Sequence, residues 1–467
     1  MMLLNVFKKR NFFLLIPLCA SVIMGSLPKE GYAEEKRILV FDPELVNQDR
    51  SGPPYIAVRD SKGILEAMER GDDTALLILR DRLAQDYRKD ADYASQFMLS
   101  LCDASLARLH GNYARSNQIL MQARQDLGPL KNTINPFIYI IDQMRSGNLF
   151  LQGKIKDWAN MQEWLAQEYY VPLRQHYHIS NLEFRNDDVI TLTVPASQIP
   201  QDEVIEASEN RIPFNGYTAA LDDHGLIEAK GPITINGEVV SAVLDTGTFA
   251  SSLPRSYVEK HPSLKVVGVS HDISSGNRRR HTEYYVLIDT LKLGGTTFHN
   301  QMFSISKDEE IMIGLQQLSQ LRHVTIGRKG ATFGINAPFS CKNELVMSSF
   351  RGGYSAKWLL PVELNRDSVM AIVNTGDDSP EVVIKKVGEL PSSIHARSVE
   401  EYGYNNDGFY TESVASKRMN IKLGDVSIED YLKYREEPSD LPAMLSTAAL
   451  RYGSYSFDWP TQKACFQ

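Results

Sequence analysis

The chain has 467 residues and 43% hydrophobic content, more than one core ordinarily serves, so two or three folded domains are expected. Lys and Arg total 50 against 58 Asp and Glu, a net charge of −8. That balance offers no electrostatic footprint for nucleic acid and excludes it as a partner class.

In chain order, Lys8, Lys9 and Arg10 precede an apolar run from Phe12 to Met24. The run is short for a spanning helix and suits a secretory signal peptide, with Gly31-Tyr32-Ala33 as its cleavage region. Residues 1–33 are therefore expected to be removed, leaving a periplasmic or secreted protein with no stable membrane span. An uncleaved N-terminal anchor is the alternative.

Over 57–175 the apolar residues recur at helical spacing, as in Leu76, Leu79 and Leu83, then Phe97, Leu101 and Leu106. Gly111-Asn112-Tyr113-Ala114 before Ile119-Leu120-Met121 looks like the turn and second helix of a tetratricopeptide-type hairpin, and Gly153 to Trp158 opens a further one. No strict repeat period is visible, so the expectation is an α-helical hairpin domain. It either binds a protein partner or only packs. Cys102 lies on this pattern and reads as a buried small hydrophobe rather than a nucleophile. From 176 to 224, the alternation Val189 to Val194 and the Pro-containing stretch Pro195 to Pro213 imply a β linker.

Next comes the run Glu238 to Leu244, which ends abruptly in Asp245-Thr246-Gly247-Thr248. This pattern describes a buried strand delivering a carboxylate into a tight turn, which Gly247 lets bend and the Thr246 hydroxyl can pin. A second run, Val369 to Val373, ends in Asn374-Thr375-Gly376, at an offset of 374 − 245 = 129. Leu293-Gly294 and Leu423-Gly424 follow at 423 − 293 = 130, and Phe333 and Phe466 at 466 − 333 = 133. Three markers in one order at nearly one offset argue for an internal duplication.

Gly231 to Gly237, Leu244 to Pro254, and Ile311-Met312-Ile313-Gly314-Leu315 together resemble the retropepsin-like aspartic peptidases. The resemblance implies two tandem all-β acid-protease-like lobes at 225–340 and 341–467 and says nothing about the first half; with the α-helical hairpin domain read from periodicity before them, a multidomain α + β chain is expected. It implies Asp245 as the catalytic carboxylate and Thr246, Gly247 and Thr248 as the active-site turn. It places a covering flap at Ser275 and Gly276, and needs neither cofactor nor metal. Arg278, Arg279 and Arg280 beside the flap are read as a solvated tip or as a preference for acidic substrates.

Such peptidases hold two carboxylates so close that they share one proton. Here Asn374 faces Asp245, with Thr375 and Gly376 completing the far side of the groove; Asn has the shape of Asp but cannot move that proton. Asp377 or Asp378 could supply the missing carboxylate, though both lie awkwardly past the turn. Ser446 also replaces the glycine of the first lobe's Ile313-Gly314 segment. The expected function is an exported aspartic-type endopeptidase acting on peptide or protein substrates, with a homodimer as a second way to pair Asp245. The alternatives are a pseudo-peptidase that binds peptides without cutting them, and a structural envelope protein. Cys341 and Cys465 flank the second lobe and are a disulfide candidate in an oxidising compartment.

Overall fold

The computed structural model describes residues 63–89, 93–128, 136–170, 190–207, 210–215, 228–273, 280–334, 339–350, 352–353, 355–387, 397–399, 412–436 and 443–467. The expected signal peptide and the expected flap residues Ser275 and Gly276 lie outside them.

Among the described residues the helices α1 (63–70), α2 (Asp73–Lys89), α3 (Tyr93–Leu109), α4 (Tyr113–Asp126), α5 (Pro136–Leu151) and α6 (Ile155–Leu165) come first. Side-chain caps start two of them. Asp72 accepts the Ala75 N–H at 2.8 Å and Asn112 the Arg115 N–H at 3.1 Å, satisfying donors a helix start leaves open. Gly71, Gly111 and Gly153 break the chain between successive helices, all at φ near +70°. Each turn also bears on the β part of the molecule. A Cβ at Gly71 would overlap Leu359, one at Gly111 would press on Leu345 and Trp459, and one at Gly153 would overlap Gln320. Two demands, left-handed backbone and close approach, thus fall on the same three residues.

The strands run β1 (Thr191–Leu192), β2 (Glu203–Ile205), β3 (Asn210–Pro213), β4 (Lys230–Ile235), β5 (Glu238–Leu244), β6 (Ser252–Pro254), β7 (Val266–Ile273), β8 (Arg280–Leu293), β9 (Thr296–Ser306), β10 (Ile311–Ile313), β11 (His323–Gly327) and β12 (Gly330–Phe333). They continue as β13 (Val346–Ser349), β14 (Ala356–Leu364), β15 (Asp367–Val373), β16 (Val383–Val387), β17 (Arg397–Val399), β18 (Glu412–Leu423), β19 (Val426–Glu436), β20 (Ala443–Leu445), β21 (Tyr455–Asp458) and β22 (Lys463–Phe466). Two short helices, α7 (Arg255–Lys260) and α8 (Leu315–Leu318), interrupt the first half.

Among the described residues the strands form three sheets. The first half builds one in the order β1-β7-β8-β4-β5-β10-β6-β9-β2; the second half builds another, β13-β14-β15-β20-β16-β19-β18-β17. Both halves share the third, β22-β21-β11-β12-β3, in which β11 and β21 pair antiparallel with Thr325 opposite Ser456. Within the stretch 176–224, read from sequence as a β linker, the described residues supply strands to two sheets. β1 and β2 close the two ends of the first sheet, and β3 edges the shared one. Edge strands leave unpaired backbone groups, and the segment entering the sheets is the nearest chain that can cover them.

The helices pack on both halves. Ile64, Met68 and Leu76 share a core with Val346 and Leu359 of the second half, while Phe150 and Trp158 join the core of the first. Arg108, fully buried, donates to Ser349 Oγ at 2.9 Å and to the Phe350 carbonyl. The disulfide Cys341–Cys465 (Cα–Cα 5.3 Å) ties the segment before β13 to the last strand. Among the described residues no helix is long and apolar enough to cross a membrane.

Candidate active site

β5 is apolar on its last residues because Ala242, Val243 and Leu244 are buried between neighbours, with β10 running parallel beside it. The strand stops at Asp245, whose N–H donates to the Ile313 carbonyl at 2.9 Å. The turn that follows is pinned from behind. Leu315 and Gln316 donate their N–H groups to the carbonyls of Thr248 (3.0 Å) and Phe249 (2.9 Å), and Gly314 donates to Ser251 Oγ at 2.8 Å. Gly314 has no room for a side chain, since a Cβ there would lie 2.4 Å from the Phe249 carbonyl oxygen. Gln316 also reaches Phe150 O at 3.0 Å, which fixes the back of the turn to α5.

The second half repeats this arrangement. β15 ends at Asn374, whose N–H donates to Leu445 O at 2.9 Å, and β20 runs parallel to β15. Where Gly314 stands in the first half, Ser446 stands here. It fits because the following loop differs: Ser446 Oγ donates to Glu381 O at 2.6 Å and accepts the Ala448 N–H at 3.1 Å.

The two turns meet face to face. Thr246 Oγ1 donates to Val373 O at 2.7 Å and accepts the Thr375 N–H at 3.1 Å. Reciprocally, Thr375 Oγ1 donates to the Leu244 carbonyl and accepts the Thr246 N–H at 3.1 Å. Both threonines are buried, so every one of these polar groups depends on its partner across the interface. Each half then presents its acid or amide over the other's glycine. A Cβ on Gly376 would lie 2.3 Å from Asp245 Cγ, and one on Gly247 would lie 2.1 Å from Asn374 Oδ1.

Asp245 is 7% exposed. Burial pushes its carboxyl above the usual range by disfavouring the charged form; the Lys357 ammonium and the N–H groups of Gly247, Thr248 and Gly376 pull the other way without cancelling the rise. The Gly247 N–H donates to Oδ1 at 2.7 Å. Asn374 is held likewise, its Oδ1 accepting the Gly376 N–H at 3.0 Å, while Nδ2 sits 3.1 Å from Met444 Sδ. That pairing fixes which end of the amide is nitrogen, since a backbone N–H needs an acceptor.

Asp377 and Asp378 are engaged elsewhere. Asp377 accepts the Ser379 N–H at 2.9 Å in a local turn. Asp378 is raised by burial and then by the charges of Asp377 and Glu310, which identifies its neighbours as other carboxyls. Lys357, on β14, donates through Nζ to the Gly247 carbonyl. Sequence reasoning missed it. Lys357 pairs with Ser348 of β13, two residues before the β14–β15 pairing begins at Leu359, and that register is not legible without the fold.

A profile of the aspartyl protease family matches residues 231–327, a segment holding Asp245 and both strands that present it. No curated protein matches the chain. Among solved structures, the Basic 7S globulin from soybean is 10% identical, covering 56% of this chain and 95% of its own, at a TM-score of 0.34. A retropepsin-like aspartic protease from Rickettsia conorii is 15% identical, covering 29% of this chain and 94% of its own, at a TM-score of 0.19.

Proposed function

We propose that this chain is an exported aspartic-type endopeptidase that hydrolyses peptide bonds from one carboxylate, Asp245. The observation that carries the reading is the cradle around that carboxylate: a buried Asp on an aspartyl-protease-like turn, held by the N–H groups of Gly247, Thr248 and Gly376. Burying a carboxylate costs several kcal/mol unless it is paired, and such cost is commonly tolerated where chemistry needs the group.

The steps follow from the residues. Ionised Asp245 accepts a proton from a water, whose oxygen attacks the scissile carbonyl. The resulting oxyanion takes a hydrogen bond from the Asn374 Nδ2–H not directed at Met444. The intermediate then collapses, breaking the carbon–nitrogen bond, and the proton held on Asp245 goes to the leaving amine. One carboxyl thus serves as base and then as acid. Asn374 supplies polarity without a proton, so a slow enzyme is expected. The place facing Asp245 is filled within the chain by Asn374 and Gly376, and the proposal needs no second copy.

Asn374 itself favours a second reading, a groove that binds peptides without cutting them. The test incubates the mature parent, Asp245→Asn and Asn374→Asp with an unfolded protein substrate across about pH 3 to 7, where a carboxylate pair titrates. Hydrolysis in the parent that Asp245→Asn abolishes supports the enzyme. Activity appearing only in Asn374→Asp supports the binding module, and silence in all three refutes the peptidase reading.

A further inference from the structure

Two turns meet at the site with a single carboxylate between them, and a cation from neither turn faces it. Lys357 is the second residue of β14, half-buried, and its Nζ donates to the Gly247 carbonyl. The Gly247 N–H donates to Asp245 Oδ1 at 2.7 Å. One glycine therefore touches the ammonium on one side and the carboxylate on the other.

The strand registers show how unusual this placement is between the halves. Lys230 lies opposite Val243 in β4–β5, and Leu359 lies opposite Ile372 in β14–β15. These pairs differ by 359 − 230 = 129 and 372 − 243 = 129, so Lys357 takes the place that Glu228 holds in the first half, 357 − 129 = 228. The halves carry opposite charge at one register position, and the positive one stands in the half that lacks the acid.

We propose that Lys357 is the charge partner that replaces the missing second carboxyl at Asp245, and that it is a positioning residue for hydrolysis at this site. The hydrolytic part rests on the reading of Asp245 as the base. In a two-carboxyl site one member ionises because the other keeps the shared proton. Asn374 has no such proton to keep, and burial disfavours the ionised form of Asp245. An ammonium beside Gly247 favours that form by direct attraction and opposes part of the rise that burial causes. Its bond to the Gly247 carbonyl also holds the turn whose N–H points at Oδ1. Among the described residues, the other charged groups on the surrounding elements include Lys230, paired with Glu310 and near Glu228, the carboxyls of Asp377 and Asp378 past Asn374, and Lys433 with Glu381 near Asp377.

The test follows the Asp245 carboxyl carbon by NMR against pH, assigning its resonance by its loss in Asp245→Asn. The full mature chain is used as parent, Lys357→Arg, Lys357→Gln and Lys357→Met. The midpoint is expected to move upward in Lys357→Gln and Lys357→Met alike and to stay near the parent's in Lys357→Arg. Lys357→Gln keeps a donor for the Gly247 carbonyl without the charge, and it remains informative if Lys357→Met fails to fold. An unmoved midpoint in folded Lys357→Gln overturns the proposal, as does a shift confined to Lys357→Met, which would credit the hydrogen bond alone. Hydrolysis is then profiled on the same samples. An acid limb that moves upward with the carboxyl supports the positioning role. A moved carboxyl with no hydrolysis in the parent keeps the charge pairing and sinks the peptidase reading.

Discussion

The reciprocal threonine bonds between the two turns set a stability that can be worked out before it is measured. Replacing Thr246 with Val keeps the side-chain shape, so no cavity opens. It removes the hydroxyl that donates to Val373 O at 2.7 Å and accepts the Thr375 N–H at 3.1 Å. Both backbone groups are then left buried without partners, at about 1–3 kcal/mol each, so the expected loss is about 2–6 kcal/mol. Thr375→Val strands the Leu244 carbonyl and the Thr246 N–H in the same way and should cost a similar amount. The hydroxyls lie 3.3 Å apart, so the double variant should depart from the sum of the two by about 0.5–3 kcal/mol, as groups in one network do. Urea unfolding at neutral pH, followed by tryptophan fluorescence with buried Trp358 as a reporter in the second half, gives all four stabilities. Single variants within about 0.5 kcal/mol of the parent would refute the argument, because that is the range of ordinary surface changes.

Three further outcomes are expected. Gly376→Ala puts a methyl 2.3 Å from Asp245 Cγ and should displace the carboxylate, weakening hydrolysis or peptide binding about 100-fold; calorimetry with an uncleavable peptide analogue reads the binding, and an unchanged affinity contradicts the contact. Asp245→Asn should raise thermal stability at neutral pH. A carboxyl raised by burial contributes stability that is fully present below its unfolded value of 3.8 and lost as pH rises through the folded value, so the variant's advantage should vanish toward pH 3.8 and below. Melting temperatures at several pH values decide this, and a pH-independent difference argues against a desolvated Asp245. Removing the disulfide by Cys341→Ser with Cys465→Ser opens a link across 124 residues and should cost about 4–5 kcal/mol, read as a lowered melting temperature that reductant does not lower further.

Much of the site was legible along the chain because it is built from local patterns. A strand is recognisable from its apolar residues, and its abrupt end at Asp245 or Asn374 marks a turn; Gly247 and Gly376 are where each turn must let the other approach. The offset of about 130 residues between the two motifs matches the strand registers of the two halves, in which Val243 and Ile372 differ by 129. The β linker at 176–224 gave no sign of which strands its short edge strands would join, because strands of two to four residues have no periodicity to display; their pairing with β7, β9 and β12 is decided by which edge lies bare nearby. Gly111 and Gly153 are legible as turns between helices, but the close approach of Leu345 with Trp459 and of Gln320 to them, like that of Leu359 to Gly71, is set by contacts between distant segments.

By itself, then, the sequence determined the local pieces: helical and strand periods, two strand-ending turns, one acid and one amide in matched places. Hydrophobic spacing and turn chemistry act over a few residues and leave their mark there. Tertiary structure alone decided that the two threonines lock across the halves, that Asp245 is buried over Gly376, and that Lys357 comes to stand beside Gly247. Those facts depend on strands far apart in the chain settling into one register, and charge acts through space rather than along the backbone.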